Sequence, residues 1–209
     1  MTHITILGDS IFDNRAYVKK YDVTAQLERR MPEGWTAARL AVDGARVKGV
    51  AFQQSFVSDK TTHLFISIGG NDSLDEIEVL DMPVTTSAET LLELGRRANE
   101  FEERYEAMLK GVFKLGIPTC VCTVYYPNFT NPLMQKLGTV ALTAFNDVII
   151  RQAFKAGIPI IDLRAVCSEP ADYANEIEPS DEGGAKIADA IIKVVNEHDF
   201  SKNRTSIYS

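Results

Sequence analysis

Short runs of apolar residues recur along the chain, and each is bounded by Gly, Pro, Asn or Asp. The runs are rich in β-branched and aliphatic side chains, and several alternate between apolar and polar positions. This pattern is typical of strands. Five strands are therefore predicted, at residues 2–7, 35–42, 63–68, 118–124 and 158–161.

The segments between these runs carry apolar residues at helical spacing, with Ile187, Ala190, Ile191 and Val194 as one clear example. Helices are predicted at residues 23–31, 46–57, 88–115 and 138–156, and after Pro179. Strands and helices thus alternate along the whole chain. This alternation predicts a parallel sheet with helices on both faces.

Two segments lack a clear period. Residues 73–87 are acidic and irregular, and we expect a long loop or lid over the site near Asn71. Residues from about 199 to 209 are expected to fray. Since no linker, repeat or low-complexity stretch interrupts the pattern, a single domain is predicted over residues 1–209.

Composition excludes several classes of partner. The 209 residues are 45% hydrophobic and 24% charged, with a net charge of −7. This acidic balance argues against nucleic acid or an anionic membrane surface as the main partner, and no apolar stretch is long enough to insert into a membrane. The amino terminus lacks the features of a secretory signal, which predicts a cytoplasmic protein. Nothing in the sequence indicates the oligomeric state.

Three cysteines, Cys120, Cys122 and Cys167, are too few for a disulfide framework. Cys120 and Cys122 lie two residues apart in a predicted strand, so their side chains share one face of the sheet. We expect all three to be small buried hydrophobic residues rather than reactive thiols.

Three turns with unusual residues each follow a predicted strand. Ser10, Gly44 and Asn71 follow the first, second and third predicted strands by a few residues. The carboxyl ends of parallel strands meet at one sheet edge, where ligands bind. Each residue has an ordinary interpretation as a cap or turn residue. Together they suit acyl transfer: Ser10 is a candidate nucleophile, and its N–H, the Gly44 N–H and the Asn71 amide are candidate oxyanion donors.

These turns carry a resemblance to a known family. The motifs Gly8-Asp9-Ser10, Asp43-Gly44 and Gly69-Gly70-Asn71-Asp72, with the closing segment 178–188, resemble those of SGNH (GDSL) hydrolases from Ile4 to about Val195. The resemblance implies a flavodoxin-like three-layer α/β/α sandwich with five parallel strands in the order 2-1-3-4-5. It also implies hydrolysis of a small-molecule ester by Ser10, with Gly44 and Asn71 at the oxyanion and no metal or cofactor.

The chain departs from that family in its last block. Alignment on Pro179-Ser180 places Asn175 at the family's aspartate position and Glu178 at its histidine position. In one interpretation Glu178 is the general base for Ser10, with burial raising its pKa and the Asn175 amide orienting it. In the other, Glu178 is a helix-entry acid, and the protein binds an acyl or glycosyl ligand without turning it over.

No histidine is a credible substitute base. His3 and His63 begin predicted strands, so both are expected at the sheet edge opposite Ser10. His198 follows the last helix, whose length of about 27 Å separates it from the site. Surface roles are expected for all three.

The remaining candidates concern substrate binding. Tyr125 and Tyr126 follow the fourth strand, with Phe129 close behind, and are expected to line an acyl pocket, while Asp13 is a candidate for positioning the substrate. Asp9 is expected to cap the turn after the first strand. A flavodoxin-like nucleotide or signalling domain is disfavoured, because no Gly-rich phosphate cradle follows the first strand.

Overall fold

A six-stranded parallel sheet forms the centre of the protein, for which a computed structural model describes all residues, 1–209. The strands lie in the order β2-β1-β3-β4-β5-β6. In register, Thr5 of the first strand lies beside Ala38 of the second and Leu64 of the third. The bounds are β1 His3–Gly8, β2 Thr36–Arg39, β3 His63–Ser67, β4 Thr119–Cys122, β5 Ile160–Ile161 and β6 Ile207–Tyr208.

Seven α-helices flank the sheet. They are α1 Val23–Arg30, α2 Val50–Gln54, α3 Gly70–Leu74, α4 Ser87–Phe113, α5 Pro132–Ala156, α6 Leu163–Val166 and α7 Asp181–Glu197. Helices α1 and α7 pack together on one face, and α2, α4 and α5 cover the other. This arrangement confirms the predicted three-layer α/β/α class. None of the helices combines the length and apolar character needed to cross a membrane.

The four inner strands, β1, β3, β4 and β5, are buried because helices cover both faces of the sheet, as expected for parallel strands. Ile4, Ile6, Leu64 and Ile66 have no solvent exposure and belong to one continuous core. The three cysteines are free and buried, which confirms the role expected for them.

The sheet has six strands, not five, so the predicted fraying of residues 199–209 is wrong. Ile207–Tyr208 pairs in parallel with β5, and the Asp162 N–H donates to the Tyr208 carbonyl at 2.8 Å. Phe200 packs its ring against both His63 and His198 and so anchors the segment that leads to the sixth strand. The sixth strand is only two residues long and is held by contacts with distant parts of the chain. It therefore leaves no apolar run in the sequence from which it could be predicted.

Helix α5 begins six residues before its predicted start. Asn131 caps it by accepting the N–H groups of Leu133 and Met134, and Pro132 occupies the first position, where its missing N–H costs nothing. Leu133 and Leu137 in this added turn are exposed, so no buried stripe marks it. The capping pair Asn-Pro was the available signal.

Two other predicted segments differ in detail. The helix predicted over residues 46–57 is a 3₁₀ turn, Val47–Gly49, followed by the short α2. The region expected to be irregular, 73–87, contains a 3₁₀ helix, Ile77–Asp81, in which the Val79 side chain is buried.

Candidate active site

The turn after β1 exposes Ser10 to a cavity at the carboxyl edge of the sheet. Gly8 allows the turn, because its φ is +134° and a Cβ there would lie 1.8 Å from the Ser67 carbonyl oxygen. The Gln53 side chain of α2 clamps Gly8 by accepting its N–H and donating to its carbonyl, each at 2.8 Å. The backbone that leads into Ser10 is therefore fixed on both sides.

Asp9 caps this turn, as the sequence predicts, by accepting the Ile11 N–H at 3.1 Å. Its other carboxylate oxygen, Oδ2, is buried and has no hydrogen-bond partner. Burial raises the pKa of Asp9 to about 7, and the nearby carboxyl groups of Glu178 and Asp72 add to the rise. The turn thus places a second acid beside the serine.

Gly44 lies in an exposed loop after β2 with a φ of +76°. Its N–H donates to no acceptor in the protein, whereas its carbonyl accepts from the Arg46 guanidinium at 3.1 Å. The Asp13 carboxylate fixes Asp43, the residue before Gly44, by accepting its backbone N–H at 3.0 Å. Asp13 also forms an ion pair with Arg39 and does not line the cavity.

Asn71 lies in α3 and lines the same cavity as Ser10. Its amide nitrogen donates to the Ala45 carbonyl at 3.0 Å, which links the third strand-end turn to the second. One amide hydrogen is used in this bond, and the other has no acceptor in the protein. The Ser10 backbone N–H is equally free. Ser10 and Asn71 therefore bring two unused N–H donors to the cavity, whereas Gly44, whose N–H is also unused, does not line the cavity wall.

Glu178 reaches the cavity from the segment before α7, and its side chain is nearly enclosed at 4% exposure. Burial raises the pKa of the carboxyl group to about 7, while the adjacent Ser10 hydroxyl lowers it and Asp43 raises it further. Ser10 and Glu178 face each other without a hydrogen bond of standard geometry. The Glu178 Oε2 atom is buried without a partner. This carboxylate therefore remains free to accept a proton.

The segment that carries Glu178 is fixed mainly through its backbone. Asn175 is exposed, and its side-chain oxygen accepts the N–H groups of Ile177 and Glu178, each at 2.9 Å. It therefore positions the Glu178 backbone and makes no hydrogen bond to the carboxylate. The Tyr125 hydroxyl donates to the Ile177 carbonyl at 2.7 Å, and Asn14 donates to the Pro179 carbonyl at 3.0 Å.

Three supporting residues were not identified from the sequence: Asn14, Gln53 and Asp172. Asn14 is fully buried and ties the serine turn to the Glu178 segment, 165 positions away in the chain. Asp172 accepts two backbone N–H groups and pairs with Lys186 at 2.7 Å. Their only sequence signal is a polar residue beside a motif, which is too common to single them out.

The cavity beside Ser10 has a volume of about 810 Å³, including its opening to solvent. Most of its lining is apolar and comes from the region 74–80, the N-terminal halves of α4 and α5, and the segment after β4. Tyr125 and Phe129 line it, as expected, whereas Tyr126 does not. The region predicted to cover the Asn71 site forms one wall of this cavity.

The histidines lie away from the cavity. His3 lies at the start of β1 and contacts Thr36, and His63 and His198 both pack against Phe200. The His, Cys, Asp and Glu side chains form no group of three or more that could hold a metal ion. The carboxyl groups of the cavity wall are those of Asp9, Glu76 and Glu178, and no histidine lines it.

Comparisons with solved structures agree with this fold. The extracellular lipase of Streptomyces rimosus superposes with a TM-score of 0.68 and 18% identity, covering 95% of this chain and 100% of that one. Phospholipase A1 from Streptomyces albidoflavus NA297 gives 0.65 and 15%, covering 95% and 99%. The acetyl xylan esterase AlAXEase gives 0.69 and 16%, covering 92% and 99%. At these identities the similarity is one of fold.

The sequence comparisons identify the family. No curated protein matches the chain. Residues 6–186 match the model of the GDSL-like lipase/acylhydrolase family, a range that includes Ser10, Gly44, Asn71 and Glu178. Because this match extends over most of the sequence and the fold agrees with it, the chain belongs to the GDSL-like lipase/acylhydrolase family.

Proposed function

We propose that the protein is a carboxylic-ester hydrolase that uses Ser10 as its nucleophile and Glu178 as its general base. The observation that carries the proposal is a buried carboxylate with a free oxygen facing a cavity-exposed serine hydroxyl. An acid enclosed in this way, with no cation paired to it, is suited to taking a proton near neutral pH.

Burial makes Glu178 a better base than an ordinary glutamate. A carboxylate in water has a pKa near 4.5, and protonation by a serine hydroxyl would be strongly unfavourable. Because the pKa of Glu178 is raised to about 7, the carboxylate is half ionised at neutral pH and holds a proton far more firmly. The effect replaces the basicity that an imidazole would supply.

The chemical steps follow from these positions. The Ser10 hydroxyl attacks the ester carbonyl while Glu178 takes its proton, and the N–H groups of Ser10, Gly44 and Asn71 donate to the developing oxyanion. Protonated Glu178 then returns the proton to the leaving alkoxide, which releases the alcohol. Water attacks the acyl-enzyme with Glu178 again accepting the proton, and the carboxylic acid leaves with Ser10 restored.

The test is hydrolysis of p-nitrophenyl esters with acyl chains of two to twelve carbons. We expect Ser10→Ala to reduce kcat/KM by at least about a thousandfold, since the covalent route is lost. Ser67→Ala is the matched control: this serine is also buried at a strand end, its hydroxyl has no partner, and it lies outside the cavity wall. Equal activity in Ser10→Ala and the wild type would contradict the mechanism.

A non-catalytic site is the competing outcome. It predicts no hydrolysis above the Ser10→Ala background with any of the esters. The double change Asn175→Asp with Glu178→His separates the two cases. Loss of activity from a working enzyme would support Glu178 as the base, whereas activity gained from an inactive protein would indicate a binding site that has lost its chemistry.

A further inference from the structure

The cavity that Ser10 lines is bounded mainly by apolar side chains. They include Leu94 from α4 and Ala141, Leu142 and Phe145 from α5. Phe129, after β4, also lines it. The parallel course of α4 and α5 keeps these residues together, because Glu102 pairs with Arg151 and Glu106 with Lys155 farther along the same two helices.

The size of this space exceeds what an acetyl group needs. A methylene group takes up about as much room as a water molecule, roughly 30 Å³, so a chain of about eight carbons fills roughly 240 Å³. The cavity volume is about 810 Å³ with its opening to solvent, which leaves room for both the acyl chain and the alcohol.

The residues of the cavity wall that can carry a charge near neutral pH are all carboxylic acids. They are Asp9, Glu76 and Glu178, and no Lys, Arg or His lines the space. Glu76 is paired with Arg97, whereas Asp9 and Glu178 have no cationic partner. A ligand with a negative charge near Ser10 would be repelled, and no side chain in the wall would compensate for burying that charge.

We propose that the cavity takes an uncharged acyl chain of about six to ten carbons, from an ester whose alcohol part carries no negative charge. This inference rests on the proposed hydrolase function and specifies its substrate. The same charges assist the reaction cycle, since the carboxylate product is repelled by Asp9 and Glu178 and leaves the site.

Ala141, Gly138 and Phe129 set the usable length of the chain. Ala141 lines the cavity with a small side chain, so a larger one there fills the space. Gly138 packs tightly under the aromatic ring, because a Cβ at this position would lie 3.1 Å from a Phe129 ring carbon. Truncation of Phe129 opens the same wall.

The first experiment measures kcat/KM for p-nitrophenyl esters from acetate to dodecanoate. A fully buried methylene can raise kcat/KM by up to about fourfold, and a gain of only about twofold for each of the six extra methylenes already makes octanoate exceed acetate by more than about thirtyfold. Ala141→Phe should lower the octanoate-to-acetate ratio by at least about tenfold, and Gly138→Ala should lower it less. Phe129→Ala should shift the best chain to a longer one.

Thr143→Phe is the matched control, because residue 143 is exposed on the same helix and outside the cavity wall. It introduces the same ring and should leave the ratio unchanged within about twofold. A preference for acetate, or an equal change in Ala141→Phe and Thr143→Phe, would overturn the inference. Thermal melting of each variant shows which proteins are folded. Phe129→Ala enlarges the cavity, whereas Ala141→Phe fills it, so the two variants should change the preferred chain length in opposite directions.

The second experiment tests whether a negative charge on the leaving group is excluded, with two thioesters that share one acyl chain. Octanoylthiocholine carries a positive charge and octanoyl-coenzyme A carries several negative charges. We expect hydrolysis of the former to be at least about tenfold faster in kcat/KM, with a gap that narrows at high salt. Equal or faster hydrolysis of the coenzyme A thioester would overturn this part of the inference.

A binding measurement separates failure of the cavity from failure of the chemistry. Decanol should raise the melting temperature of Ser10→Ala, and decanoate should not. If decanol binds but the wild type hydrolyses no ester, the hydrolase proposal fails and the cavity stands as an alkyl-binding site. If esters are hydrolysed but decanol has no effect and acetate is preferred, the cavity inference alone fails.

Discussion

Two buried carboxylates lie six positions apart on one irregular segment, yet their surroundings differ. Asp172 accepts the N–H groups of Ser168 and Glu169 and pairs with Lys186, so both of its oxygens are occupied. Glu178 has a buried oxygen without a partner and faces Ser10. The same type of charge is thus neutralised at one position and left free at the other.

This difference separates a structural acid from a reactive one. A buried charge with complete hydrogen bonding holds its surroundings in place, and its removal leaves other groups unsatisfied. A buried acid without a partner is destabilised in its charged form. Its pKa is therefore raised, and its carboxylate is a stronger base. Comparing conservative variants at the two positions tests the distinction directly.

The largest expected effect is on activity in Glu178→Gln. Loss of the base should reduce kcat/KM by about 10²–10⁴-fold, with little change in KM and no fall in melting temperature, since the variant removes a buried charge that has no partner. In the wild type, kcat/KM should rise with pH until about 7 and then level off, because Glu178 must be ionised and its pKa is raised to about 7. A variant with full activity or the same pH profile would remove Glu178 from the mechanism.

Asp9 extends the comparison, because it too has a buried oxygen without a partner. Its pKa is raised from 3.8 to about 7 mainly by burial, so the folded state binds this proton more tightly than the unfolded state. Stability from this group is complete below pH 4, falls between pH 4 and 7, and stays low above 7. The loss is at most about 4 kcal/mol.

Asp9→Asn should remove this dependence, since the amide keeps an oxygen acceptor for the Ile11 N–H. Urea unfolding at several pH values measures it: the variant should gain stability over the wild type as the pH rises from 4.5 to 8. A stability difference that is constant with pH would contradict the assignment.

Asp172→Asn should act in the opposite way, on stability rather than chemistry. It removes the charge that Lys186 pairs with and weakens the bonds to two backbone N–H groups. We expect a loss of about 2–3 kcal/mol, moderated because Lys186 is partly exposed. Urea unfolding at pH 7 provides the value, and Glu178→Gln, which breaks no ion pair, is the matched comparison. If both variants lost equal stability, the distinction between the two acids would fail.

The smallest effect is expected at Asn175. Its side-chain oxygen accepts the N–H groups of Ile177 and Glu178, so Asn175→Ala should cost about 1 kcal/mol of stability. Activity should fall a few-fold through kcat, because the Glu178 backbone is less well fixed. Asn175→Asp restores the acceptor and should recover most of the stability. An unchanged kcat in Asn175→Ala would limit this residue to a structural role.

The strand-end turns could be predicted because the relevant physics is local. Ser10 and Asn71 each follow an apolar run, and parallel strands bring their ends to one edge. Ser10 and Asn71 line one cavity at this edge, as this reasoning expects, whereas Gly44 does not line it. Identifying Glu178 required the family resemblance as well, since it lies on a segment without hydrophobic periodicity.

Long-range polar contacts could not be predicted. Gln53 clamps Gly8, and Asn14 reaches Pro179, through single side-chain amides that have no sequence period. Tyr125 and Tyr126 are adjacent, but only the first lines the cavity, because the chain leaves the strand without a regular alternation there. Asp13 similarly supports the Gly44 loop instead of lining the cavity.

The sequence by itself determined the order of strands and helices along the chain, the three turns and the choice of Ser10 as the candidate nucleophile. These depend on the burial of apolar side chains within short segments, which leaves a period in the sequence. The tertiary structure decided the sixth strand, the depth of the apolar cavity and the state of each acid. Those properties depend on which distant groups exclude water from a side chain, and no local pattern records them.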